Sequence, residues 1–191
     1  MKITKTILIT VLYGYLLIHS WNTLSADESY MAGQKELSKG NIEKAIEYAN
    51  KSIRKNPEEP RYRYGRAKIL LASTVDSTDK DNEKVNAHKD LIKAQTLNPK
   101  NLVTLRNIVP LYYFLSIHDL TQTNSNENID ETYIKHTESY LKTLKQEYPN
   151  DLGVHILAAK YEKKLNLIEM EQASLSIIES LRPDVLDWAK L

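Results

Sequence analysis

The side chains most able to do chemistry in this 191-residue sequence are five histidines, His19, His88, His118, His136 and His155. No two of them lie four residues apart or within one helical turn, so local spacing offers no preformed metal pair. Asp76, Asp79 and Asp81 form an acidic cluster. It lacks the glycine and the distal glutamate of a calcium loop and reads as a solvated polar turn. Tyr112, Tyr113 and Phe114 read as core and groove lining rather than a ligand box, and His155 as a packed ring. There is no cysteine, hence no thiolate nucleophile, no disulfide and no thiol for a lipid. Phosphate-binding glycine loops, nucleophile elbows and zinc-protease signatures are missing as well. The expectation is a protein that is not an enzyme and needs no metal or cofactor.

What the chain has instead is a rhythm of prolines. Asn56-Pro57, Asn98-Pro99, Tyr148-Pro149 and Arg182-Pro183 each close an amphipathic segment. Their separations of 42, 50 and 34 residues correspond to one period of 34 with surpluses of 8, 16 and 0. A period in the thirties marks stacked helical hairpins. Proline ends such helices because its ring cannot continue them and drives the preceding residue out of helical conformation.

The clearest hairpin lies between Ala26 and Pro57. Two helical runs, roughly 28–39 and 42–55, are split at Gly40-Asn41, a turn pair suited to ending the first helix. Gly33 faces Ala45, where two small residues let the backbones approach, and Ala45, Ile46, Ala49, Ser52 and Ile53 make one buried stripe. Gly33, Gly40, Ala45, Tyr48, Ser52 and Pro57 together resemble the tetratricopeptide repeat (TPR) family. The resemblance implies an all-α, right-handed superhelix, a solenoid of four repeats at about 26–59, 60–101, 102–151 and 152–185.

The later copies are weaker. Tyr64, Ala67, Leu70 and Leu71 followed by Val85, Ala87, Leu91 and Ala94 build the second. The third has Leu105, Ile108 and Tyr112, then Tyr133, Thr137, Tyr140, Leu141 and Leu144. The fourth has His155, Ala158, Ala159 and Glu162, then Leu175, Ile178 and Leu181. Val109, Thr137 and Glu171 stand where the family has small residues, and Pro110 falls inside a first helix, at a cost of about 3 kcal/mol unless the helix kinks. The repeat-defining positions are then Gly33, Gly40, Ala45, Pro57, Ala67, Ala87, Ala94, Pro99, Pro149, Ala159 and Pro183. The surpluses fall in polar loops at 73–83 and 118–131, and the segment 184–191 is expected to cap the last repeat.

The N-terminus reads as a targeting segment. Lys2 and Lys5 precede the apolar run Ile7 to Ile18, a length that suits an export signal and is short for a membrane span. Residues 1–26 are either a signal peptide cut near Ser25 or Ala26, or a single-pass anchor with Trp21 at the boundary, leaving 27–191 as the TPR domain. A non-exported protein with a buried first helix is the third option. Without residues 1–26, which carry only Lys2 and Lys5, the chain keeps 24 basic and 25 acidic residues. That balance argues against nucleic acid as a partner.

In TPR proteins the first helix of each repeat lines a concave groove that holds a partner's extended or helical segment. Carried onto this chain, the groove residues are Tyr30, Gln34, Arg61, Tyr64, Lys68, Arg106, Asn107, Ile156 and Lys160. Arg61, Lys68, Arg106 and Lys160 would make the groove basic and suited to an acidic segment or free carboxylate. The resemblance implies a protein-binding adaptor in the bacterial cell envelope, periplasmic or secreted, serving assembly or export. Homo-oligomerisation is also open. The other reading is an envelope binding protein for a glycan or small anionic ligand, stacking on Tyr64, Tyr112 and Tyr113.

Overall fold

The residues before the four prolines share one backbone conformation. Asn56 (φ −142°, ψ 86°), Asn98 (−145°, 72°), Tyr148 (−129°, 59°) and Arg182 (−152°, 84°) all leave the helix by the same step. The ring that follows forbids the α conformation, so the chain opens there. Two residues beyond three of these prolines, Glu59, Asn101 and Asp151 accept backbone N–H bonds from Arg61, Thr104 and Val154 and cap the next helix. One short junction therefore stops one helix and starts the next.

This computed structural model describes residues 2–122 and 128–182, with side chains from residue 9 onward. Its helices are α1 (Lys2–Ser38), α2 (Ile42–Lys55), α3 (Pro60–Ser73), α4 (Lys80–Leu97), α5 (Leu102–Leu115), α6 (Glu131–Glu147), α7 (Leu152–Lys164) and α8 (Ile168–Leu181). Pro183, the expected cap 184–191 and the middle of the 118–131 loop lie outside the described residues.

The protein is all-α with paired helices. The odd helices touch in a row, α1 to α3 to α5 to α7, and the backbone of each even helix packs only on its odd neighbours among the described residues, even helices meeting one another through side chains alone. Gly33 lets α1 and α2 approach closely, since a Cβ there would sit 3.3 Å from the Ala45 carbonyl oxygen. Gly40 ends α1 at φ +79°, and Asn166 takes the same left-handed conformation (φ 56°) between α7 and α8. The main core runs from Ala67 to Ala158 across α3 to α7, with Leu91, Ile108, Leu115 and Leu141 fully buried. Two smaller clusters sit under α1, one of Ala26, Ile53 and Tyr62, the other of Ala45, Ala49 and Ile69.

Several expectations change here. Helix α1 does not begin near residue 28 but runs without a break through Ser25 and Ala26. Ala26 is fully buried, Ser25 accepts from Lys55, and Asp27 is paired, so the suggested cleavage position lies within packed helix. Upstream, Leu12, Tyr15, Leu17 and Trp21 are exposed. No helix among the described residues is long and apolar enough to cross a membrane. His19, Ser20, Asn22 and Thr23 break the apolar run.

The surplus residues are only partly loop. Helices α4 (18 residues) and α6 (17) outgrow α2 and α8 (14 each), which shrinks the first insertion to 74–79. Val85, an expected core residue, is 40% exposed, and Lys84 takes its place at 3%. Leu175 and Leu181 are half-buried rather than core. Helix α5 stays unbroken through Pro110, which withholds an N–H from the Arg106 carbonyl. Tyr140 donates its hydroxyl to the neighbouring Leu105 carbonyl (2.7 Å), and Thr137 bonds the Tyr112 carbonyl and the Ser116 hydroxyl. A threonine in a small-residue position is thus satisfied by the helix it meets.

Buried charge ties the hairpins together. Arg66 grips Asp90 with two nitrogens (2.6 and 2.8 Å) and Asn50 with a third, joining α2, α3 and α4. Lys145, Glu162 and Ser174 close a triangle of bonds at 2.6, 2.7 and 2.9 Å across α6, α7 and α8. Lys84 bonds Asp130 (2.7 Å) and the Ile117 carbonyl (2.8 Å), joining α4 to the cap of α6. Burial alone would raise the Asp130 pKa, but the bond and charge of Lys84 outweigh it and hold it below the usual value.

Removing Lys84 strands that carboxylate, so Lys84→Ala is expected to cost about 3–5 kcal/mol at neutral pH by denaturant titration. The folded pKa of Asp130 is depressed, so its stabilisation is present above the ordinary value of about 4 and fades as pH falls through the folded one. The gap between wild type and variant should narrow on that acid limb. An equal gap at every pH would show that the ion pair is not its source.

Candidate functional site

The row of odd helices offers one face, and the nine groove residues can be placed on it. Lys68, Asn107 and Lys160 are exposed, and Tyr30, Gln34, Tyr64 and Ile156 are half-buried. The two arginines are already engaged. Arg61 pairs with Asp27 of α1 at 2.5 Å and lies over the rings of Tyr30 and Tyr62. Arg106 pairs with Asp151, the cap of α7, and lies over Gly153, where a Cβ would meet its guanidinium at 2.5 Å. Tyr30 in turn rests on Gly65, where a Cβ would come within 2.4 Å of its ring. These three side chains brace neighbouring hairpins and are not free to grip a carboxylate.

The free positive charge lies further along. Lys160, Lys163 and Lys164 are exposed on α7, and none pairs with a carboxylate among the described residues. Lys164 sits over the rings of Tyr113 (5.3 Å) and Tyr161 (5.6 Å). Tyr113 contacts Phe114 (5.2 Å) and Tyr161 (5.3 Å), and Phe114 is 40% exposed. Burial, and then Tyr113, push the Tyr161 hydroxyl above its ordinary pKa. It joins a cationic edge to an aromatic surface. The sequence reading saw Lys160 and Tyr113 separately. Tyr161 and Lys164 escaped it because only the packing of α5 on α7 brings them to Tyr113.

A second site lies between α4 and α6, floored by α5. This cleft of about 250 Å³ is lined by His88, Ile92, Gln95, Tyr112, His136, Tyr140 and Glu147, among others. Gln95 donates to the Tyr112 hydroxyl (2.8 Å), and Tyr112 stacks on Tyr140 at 4.5 Å. Tyr112 is 3% exposed, so it cannot stack on a ligand, which weakens the glycan reading. The His88 and His136 rings stand 4.4 Å apart. Burial, then the neighbouring His136, lower the His88 pKa below its ordinary value. His155 is packed as expected, its Nε2 at 2.9 Å from the Pro149 carbonyl oxygen.

Among the described residues no three or more His, Asp or Glu gather to hold a metal ion. Neither arrangement brings a nucleophile to a base. No protein-family model matches the chain, and no curated protein matches it significantly.

Charge reversal should separate bracing cations from free ones. Arg61→Glu and Arg106→Glu are each expected to lose about 1 kcal/mol, since half-exposed pairs contribute no more. Lys160→Glu and Lys163→Glu should stay within about 0.5 kcal/mol of wild type in thermal melts. Equal losses in all four would mean that the two arginines have no special bracing role.

Proposed function

We propose that this chain is a TPR-type solenoid, an exported, non-catalytic adaptor of the bacterial envelope that holds a partner's acidic segment on its odd-helix face. Support for the repeat reading comes from the junctions, where one conformation before proline and one capping position recur. The two-layer packing, with odd helices in a row and even helices outside them, is what stacked hairpins give. Export is supported by Lys2 and Lys5 ahead of an apolar run whose described side chains stand clear of the packed helices.

The observation that carries the partner reading is the patch of Lys160, Lys163 and Lys164 beside Tyr113, Phe114 and Tyr161. Exposed aromatic rings supply a few anchoring contacts, and unpaired lysines select against basic partners. A segment combining acidic residues with an aromatic or aliphatic anchor fits it, bound without cofactor or covalent chemistry. Arg61 and Arg106 contribute indirectly, by fixing the spacing between first helices.

The experiment is a crosslinked pulldown from native membranes of a C-terminally tagged chain, beside a Lys160→Glu, Lys163→Glu, Lys164→Glu variant. Specific partners should drop out of the variant while its helical circular dichroism and melting temperature hold. Partners retained in full would exclude this patch, and no protein partner in either sample would sink the adaptor reading.

A further inference from the structure

The three junctions between hairpins are not tied alike. Asp90, Tyr140 and Ser174 are separated by 50 and 34 residues, the same intervals as the last three prolines, and so hold matching places on α4, α6 and α8. Asp90 and Ser174 each complete a polar tie that links an even helix to the previous even helix through the odd helix between them. Tyr140 does not. It bonds the Leu105 carbonyl and stacks on Tyr112, whose hydroxyl accepts from Gln95 of α4, so the middle of this junction is held by a ring stack. The ion pair between α4 and the cap of α6, Lys84 with Asp130, lies near their first turns.

In the space left open stand two imidazoles. His88 of α4 and His136 of α6 have centroids 4.4 Å apart with planes inclined at 48°. His88 meets the rings of Tyr112 (6.0 Å) and Tyr133 (5.8 Å) edge-on, which explains where its ring sits but gives its nitrogens nothing. Neither imidazole has a hydrogen-bond partner among the described residues, and both border the open cleft. With metal–nitrogen bonds of about 2.0–2.1 Å, two imidazoles have centroids roughly 5.2 Å apart on a tetrahedral ion, whereas at the right angle of an octahedral or square-planar ion they stand roughly 4.5 Å apart. The observed separation is close to that.

We propose that His88 and His136 form an open binding site for a divalent transition ion of the nickel, copper and zinc group, which staples α4 to α6. Imidazole donors select these ions over magnesium and calcium, which take oxygen ligands. No third protein ligand joins the pair, so water completes the coordination and binding is weaker than in a closed structural site. The ion would add a direct link between α4 and α6 at the junction whose middle is held by the Gln95, Tyr112 and Tyr140 contacts.

The test is isothermal titration calorimetry of the untagged full chain with NiCl₂ and with ZnCl₂ at about pH 7.5, where imidazole is neutral. One saturable site is expected, with affinity falling about ten-fold or more in His88→Gln and in His136→Gln alike. The melting temperature should rise with nickel in the wild type and not in either variant, and MgCl₂ should do nothing. His136 is exposed, so its variant stays informative if His88→Gln disturbs the fold. Failure to saturate below about 1 mM, or binding unchanged in the His136 variant, would overturn the site.

Discussion

The structure depends on the steric conflict between a proline ring and the residue before it. That conflict ends α2, α4, α6 and α8 with one backbone step, and a polar side chain two residues on restarts the helix after the first three. Because stop and start are so close, the chain has little freedom in how the next helix leaves. Each hairpin therefore lands on the previous one in a similar way, and the odd helices come into a row. Had these ends been closed by long flexible loops, the small-residue contacts and buried ion pairs would each have had to fix the geometry alone.

Within that frame, charge is spent mainly on assembly. Asp27, Asp90, Asp130, Asp151 and Glu162 each meet a cation from another helix. Asp130 and Asp151 are also helix caps, so one carboxylate serves a helix end and a neighbouring hairpin at once. A near-neutral chain thereby keeps few uncompensated charges on its odd helices. The lysines of α7 stand out for that reason and not for their number.

What could be read from the sequence was local. The prolines, the Gly40 turn, the Gly33 and Ala45 approach, and the stripes on α5 and α6 rest on residues within a turn or a hairpin of one another. The misreadings involve distance. Arg61 finds Asp27 34 residues away, Arg106 finds Asp151 45 away, and Lys84 finds Asp130 46 away. Periodicity favoured Val85 over Lys84 for the core because it weighs hydropathy and cannot see a buried partner. The sequence places the first helical run at 28–39, beyond a targeting segment 1–26, whereas α1 spans Lys2–Ser38. With no proline or glycine between Gly14 and Gly33, nothing in the backbone obliges the helix to stop there.

The histidines show the same limit from the other side. Spacing along one helix gave no reason to pair them, since His88 and His136 are 48 residues apart. They meet where α4 and α6 face each other across α5, and the Lys84 and Asp130 pair joins α4 to the cap of α6 near their first turns. That pair fixes the first turns of the two helices, while α5 keeps them apart lower down. The cleft follows from helices pinned at one end and separated along their length by Tyr112 and Tyr140.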